Sequence, residues 1–280
     1  MWFFYALSKL PLVVLYGISG VLYFFLRHVA KYRLSVVRRN ISLSFPNKGE
    51  SEVSTIINSF YRSMSDMIVE TIKLLSMSEK ELNRRVSVKN EEALLKHFDR
   101  GTSVLLTACH QFNWEWMVAA GRTHLGYSFD PAYRPIKNKF FNNLIITIRS
   151  RFGGKTIVDK DLKRVLKENE RVVGFSIVMD HVSGKPFAWR SFLNQDTLFD
   201  NSIKTLAELS GLPVVYPKLK KIKRGYYEIE LIPLAEPPYH PDHNFLDRFI
   251  KEIEQSINDQ PETYMWTHRR WKYSHQPTGV

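Results

Sequence analysis

His110 and Glu115 are the residues whose types and spacing most directly suggest chemistry. An imidazole and a carboxylate work together as a general base and its orienting acid when a fold sets them side by side. Both lie in His110-Gln111-Phe112-Asn113-Trp114-Glu115, directly after the apolar run Val104-Leu105-Leu106-Thr107-Ala108-Cys109. On one continuous helix this spacing would leave them about 140° apart, at ~100° per residue, and out of mutual reach. A strand ending at Cys109, a turn, and a helix starting near Asn113 would leave His110 outside the first turn and Glu115 within it. That junction makes a His110–Glu115 dyad the expectation. The plain alternative is a hydrogen-bonding histidine after a strand.

Other candidates follow later strands. Arg134, in Tyr133-Arg134-Pro135, suits a phosphate or a developing oxyanion, or is a surface arginine in a turn. Arg149 and Arg151 precede Gly153-Gly154 and either extend a basic substrate site or neutralise a helix C-terminus. Asp180 closes the apolar run Gly174 to Met179, as a substrate ligand, a supporting acid or an ordinary turn residue. The loop Asn194-Gln195-Asp196-Thr197 lines the site or is solvated. Cys109 adjoins His110 in sequence, but neighbours on a strand point to opposite faces, which argues against a nucleophile. There is no Gly-x-Ser-x-Gly elbow, which counts against a serine hydrolase. HExxH and cysteine-pair zinc spacings are absent, and neither metal nor cofactor is expected.

These residues need a scaffold. From residue 86 the pattern alternates, with strands expected over 86–88, 103–109, 127–131, 171–179, 214–219 and 226–234. Helices are expected over 91–98, 114–122, 137–151, 161–168, 202–210 and 244–259. That is an α/β fold, a mixed sheet flanked by helices, with a late hairpin at Lys223-Arg224-Gly225. Upstream, Val53, Ile57, Phe60, Met64, Ile68 and Leu75 mark an amphipathic helix over 51–75.

The N-terminal region reads differently. Residues 2–26 carry a single charge, Lys9, and residues 10–26 carry none. The run is long enough to anchor in a membrane, while Pro11, Gly17 and Gly20 leave open a kinked helix lying in one leaflet. Arg27, Lys31, Arg33, Arg38 and Arg39 follow it, which predicts a cytosolic location for everything downstream. Residues 1–30 are therefore read as anchor and 31–280 as the catalytic domain. The 280 residues carry a net charge of +12, which favours acidic partners: nucleic acid, anionic membrane or an acidic carrier protein. The densest basic run, Lys218, Lys220, Lys221, Lys223 and Arg224, is either a solvated face or a docking surface for such a partner. One cysteine in the chain excludes an internal disulfide.

Taken in order, these segments resemble the bacterial lipid A biosynthesis acyltransferases, relatives of the glycerolipid acyltransferases. The resemblance rests on the apolar N-terminus, Tyr32-Arg33, Arg39-Asn40-Ile41, Ser44-Phe45-Pro46, Phe60-Tyr61 and Glu70. It continues through His110 to Glu115, Tyr133-Arg134-Pro135 with Lys137-Asn138-Lys139, Asp180, and Tyr264 to Lys272. It implies His110 and Glu115 as the catalytic pair and Arg134 as a substrate-binding arginine. It also implies a single glycerolipid-acyltransferase-like domain at the bacterial inner membrane. It implies acyl transfer from acyl-acyl carrier protein, or else acyl-CoA, to a hydroxyl of a lipid A precursor, with His110 as general base. The alternatives are a lyso-glycerolipid or aminolipid acceptor, or a non-catalytic membrane-tethered protein that binds anionic lipid or nucleic acid. On the enzyme reading nucleic acid is not a partner. The chain departs from the pattern at His181, where the family often has glutamine, and over 192–201.

Overall fold

The computed structural model describes residues 1–181, 187–240 and 244–272. At its centre lies β2 (Val104–Ala108), buried at every position, as a strand covered on both faces must be. It pairs in parallel with β5 (Val173–Val178) on one side and β8 (Val214–Lys223) on the other. Beyond β5 come β3 (Ser128–Tyr133) and β4 (Ile157–Val158); beyond β8 come β9 (Tyr226–Ala235) and β1 (Val86–Lys89). All neighbours run parallel except the hairpin β8–β9. The α/β expectation and the late hairpin are thus met.

Side chains of β2 alternate between two cores. Leu105 and Cys109 join α3 (Leu34–Ser44), α4 (Glu50–Lys73), α10 (Ser202–Ser210) and α11 (Phe245–Asp259). Val104, Leu106 and Ala108 join α6 (Glu92–Phe98), α7 (Trp114–Leu125) and α8 (Lys139–Ser150) on the other face. The sequence reading missed α3, the short β4 and an antiparallel pair, β6 (Phe187–Phe192) with β7 (Gln195–Asp200). Residues 194–197, expected as a polar loop, turn and begin β7. Leu193 and Asn194 adopt positive φ of 49° and 61° there, and Asn194 Nδ2 donates to Ser44 O at 2.9 Å.

The apolar N-terminus forms α1 (Trp2–Ser8) and α2 (Leu12–Phe24), the latter continued as one helix to Val29 by a wider turn. This stretch, Leu12–Val29, is long and apolar enough to cross a membrane and is a candidate anchor. Yet α2 does not stand apart from the domain. Tyr16 Oη donates to Glu70 Oε1 of α4 at 2.7 Å, and Ser19 Oγ donates to Asp66 Oδ1 at 2.5 Å. The hairpin tip is shaped for this docking: Gly225 has φ +72°, and a Cβ there would collide with the Tyr16 hydroxyl.

Glu70 is completely buried and gathers three donors: Tyr16, Tyr227 Oη at 2.6 Å and Asn113 Nδ2 at 3.0 Å. Burial pushes its carboxyl above the usual carboxylate range, against the pull of those three hydrogen bonds. Removing the acceptor strands three donors in a low-dielectric interior. Glu70→Ala is therefore expected to cost roughly 3 kcal/mol of unfolding free energy. Glu70→Gln, which keeps an acceptor oxygen, should cost about half that; chemical denaturation of the two variants checks both values.

Candidate active site

The turn after β2 is fastened from a distant part of the chain. Gln111 N donates to Cys109 O at 2.8 Å, Phe112 N to Thr263 O at 2.9 Å, and Met265 N to His110 O at 3.0 Å. Gln111 and Tyr264 thereby form an isolated antiparallel bridge. Asn113 then caps α7, its Oδ1 accepting from Trp116 N at 3.3 Å while its amide reaches Glu70. The helix starts where the sequence predicts, and His110 stands just before it.

Sheet register decides what meets His110. Ala108 of β2 lies beside Val178 of β5, so the residues two places beyond each strand, His110 and Asp180, emerge side by side. His110 Nδ1 lies 2.8 Å from Asp180 Oδ1, and the His110 backbone N–H also donates to that oxygen, at 3.3 Å. The other oxygen, Oδ2, accepts from Tyr264 Oη at 3.0 Å. Asp180 is fully buried, whereas the His110 side chain keeps 26% of its surface exposed. Burial alone would raise the Asp180 carboxyl, but the neighbouring His181 and His110, the hydrogen bond from His110, and Arg270 together hold it well below the carboxylate range. Burial also pushes His181 down to about 3. His181 is thus neutral near pH 7, and at that pH His110 and Arg270 remain to keep Asp180 ionised. An ionised Asp180 accepts only, so Nδ1 of His110 carries the hydrogen and Nε2 offers a lone pair on the open side.

The rings of His110, His181 and His268 form a stack, with centroids 4.2 Å apart for the first pair and 3.7 Å for the second. Burial pushes His268 down as well, to about 4. Two neutral rings behind His110 restrain its rotation without adding charge. Ligand atoms of His110, Asp180 and His181 fall within 4.8 Å of one another. Both Asp180 oxygens already accept hydrogen bonds, from His110 and from Tyr264.

The carboxylate at His110 Nδ1 is Asp180, where Glu115 was expected. Glu115 lies in the first turn of α7, but its carboxylate takes a two-pronged ion pair from Arg149, with Nη2 at 2.7 Å and Nε at 2.9 Å. It also accepts from Trp114 Nε1 at 3.0 Å. Asp180 occupies the place at His110 Nδ1 that Glu115 was expected to fill. Arg149 accordingly holds α8 against α7 through Glu115. Arg151 donates to Leu74 O at 2.7 Å and caps the end of α4, again a structural duty. Arg134 is two-thirds exposed and pairs with Asp159 at 3.2 Å.

Cys109 is buried, donates to Gln111 Oε1 at 3.3 Å, and burial raises its thiol well above the ordinary value. It is not a nucleophile at neutral pH. In the basic run, Lys218 pairs with Glu252 at 3.3 Å and Arg224 with Asp66 at 2.5 Å. Those two charges serve the fold, which weakens the run as a docking surface. Sequence reasoning also missed Tyr264 and the two extra histidines as neighbours of His110. The register-related positions of His110 and Asp180, each just past a parallel strand, were the available signal.

Comparison with known proteins identifies the class. Residues 1–273 match the model of the family described as bacterial lipid A biosynthesis acyltransferase. The chain is 26% identical to the lipid A biosynthesis lauroyltransferase of Escherichia coli K12 over 276 residues, covering 97% of this chain and 89% of the relative. It is 26% identical to the palmitoleoyltransferase of the same organism over 253 residues, 88% of this chain and 81% of that one. A Haemophilus influenzae lipid A biosynthesis acyltransferase is 25% identical over 254 residues, 87% and 79% of the two chains. The protein is therefore an acyltransferase. More particularly, it belongs to the bacterial lipid A biosynthesis acyltransferase family.

The two carboxylates beside the turn should respond differently to neutralisation. Asp180→Asn is expected to lower kcat by about 10²- to 10⁴-fold while leaving the protein folded, because the imidazole loses its tautomer and its counter-charge. Glu115→Gln is expected to lower unfolding free energy by about 2–4 kcal/mol, because it leaves the Arg149 guanidinium unpaired in a mostly buried place. Steady-state kinetics and denaturation on both variants separate these roles. Equal stability losses with no kinetic difference would contradict them.

Proposed function

We propose that the protein moves a fatty acyl chain from an acyl thioester on acyl carrier protein to a hydroxyl of a lipid A precursor, with His110 as general base. The observation that carries this reading is the 2.8 Å contact between His110 Nδ1 and the buried, ionised Asp180. Nε2 removes the acceptor proton as the acceptor oxygen attacks the thioester carbonyl. The imidazolium that forms is stabilised by Asp180, which also prevents the ring from turning. Collapse of the tetrahedral intermediate breaks the C–S bond, and the imidazolium returns its proton to the departing thiolate. Proton transfer of this kind contributes roughly 10²- to 10⁴-fold in rate. Backbone N–H groups at the start of α7, with Arg134, are the donors we assign to the oxyanion.

The setting is the bacterial inner membrane with the catalytic part on the cytoplasmic side. The basic residues after the apolar run suit the anionic cytoplasmic leaflet, and the net charge of +12 suits an acidic carrier. The relatives named as lipid A acyltransferases support the acceptor class.

Labelled acyl-carrier-protein and acyl-CoA donors, offered with a lipid A precursor or a lyso-glycerolipid, test each part. The carrier-linked donor and the lipid A precursor should give product. Transfer should weaken as salt rises from 0.05 to 0.5 M, concentrations that shrink the screening length from about 14 to 4 Å. His110→Ala should lose at least about 10²-fold in rate; a variant retaining activity within tenfold sinks the base assignment. Better use of acyl-CoA, or of the lyso-glycerolipid, replaces the donor or the acceptor respectively.

A further inference from the structure

We propose that α1 and α2 lie in the plane of the membrane surface, without crossing it, and that Ile136, Phe140 and Phe141 complete the same lipid-facing surface. The partnership of α2 with α4 carries the argument. The two helices run antiparallel, and a polar or charged side chain of the α4 segment meets the N-terminal region at every level. Lys73 Nζ donates to Ser8 O and Leu10 O at 3.1 and 3.0 Å, Tyr16 meets Glu70, and Ser19 meets Asp66. Further along, Arg62 lies 5.0 Å over the Tyr23 ring, and Arg27 Nε donates to Asn58 at 3.0 Å. Arg224 also joins this seam, at Asp66 and over Tyr16.

A crossing α2 would have to carry this seam through the hydrocarbon layer. Arg62 is exposed and Arg224 is half-exposed beside α2, so neither is sheltered from lipid by the protein. A charged side chain near the bilayer centre is costly even on lenient insertion scales. Lying flat, the same helix keeps the seam on the water side and offers lipid its other face. That face is continuous. Val13, Val14, Ile18, Val21, Phe24 and Phe25 are exposed, at the spacing of one helical stripe, whereas Leu12, Leu15 and Ser19 are buried toward α4.

The stripe extends beyond the N-terminal helices. Phe3, Phe4, Phe140 and Phe141 form a chain of ring contacts, with centroids 5.5, 5.9 and 5.4 Å apart in turn. Phe140, Phe141 and nearby Ile136 are each more than two-fifths exposed. Lys9, Lys137 and Lys139, all exposed, rim this aromatic patch as cations that suit anionic headgroups. The patch sits on α8, whose Arg149 holds Glu115 of α7, so bound lipid lies one helix from the His110 turn.

Topology and binding test the two halves of the proposal. The native cysteine is buried, so single cysteines can be placed at both ends of α2, as Lys9→Cys and Lys31→Cys in the full chain. An impermeant maleimide should label both from the same side of sealed membrane vesicles. Labelling from opposite sides overturns the in-plane arrangement, and it would leave the transfer chemistry untouched. The double variant Phe140→Asp, Phe141→Asp should bind phosphatidylcholine–phosphatidylglycerol vesicles about tenfold or more weakly, with an unchanged melting temperature because both rings are exposed. Unchanged vesicle binding removes α8 from the surface.

Discussion

One buried carboxylate ties the membrane-proximal helices to the catalytic turn. Glu70 receives hydrogen bonds from α2, from β9 and from Asn113, the residue that caps α7. The backbone carbonyl of Glu70 also accepts from Trp116 Nε1 at 2.9 Å. The start of α7 is therefore held at two points against α4, and the turn bearing His110 is held with it. A carboxyl group buried this deeply is unfavourable on its own; full satisfaction by three donors makes it a rigid joint among four elements. The N-terminal helices, although apolar enough to belong to a membrane, are consequently part of the framework that positions His110.

The local part of the site was readable from the chain. An all-apolar run followed by His110 and an Asn113 cap specifies strand, turn and helix through nearest-neighbour rules, and the structure obeys them. Pairing of His110 was not readable locally, because Asp180 lies 70 positions away and the meeting depends on β2–β5 register. Glu115 looked like the partner because it follows His110 by five positions, but α7 turns its carboxylate toward Arg149 on α8. Register in a buried parallel sheet has no polar–apolar alternation to announce it. The chain shows His110 and Asp180 each just past a strand, but it does not set them opposite one another until the strands are laid side by side.

The hairpin β6–β7 escaped for a related reason. Its strands carry mixed side chains, such as Trp189, Arg190 and Asp196, with no clean two-residue period, and its turn residues resemble a solvated loop. What makes it ordered is tertiary: Arg270 Nη1 donates to Leu198 O at 2.7 Å, and Trp271 Nε1 donates to Thr197 Oγ1 at 2.7 Å. The charge count also misled in part. A net +12 suggests a uniformly attractive surface, yet Arg149 and Arg224 are paired inside or along structural seams. The cations left for partners are fewer than the total implies.

The strap formed by Thr263, Tyr264 and Met265 across the His110 turn has a consequence for biogenesis. Its contact with Gln111 spans 152 positions of chain. During vectorial synthesis the apolar helices emerge first and can settle on the membrane, while the turn still lacks both its backbone strap and the Tyr264 hydroxyl that steadies Asp180. Attachment thus precedes competence. Until residues 263–265 are made, the turn that bears His110 has neither its backbone strap nor the Tyr264 hydroxyl at Asp180.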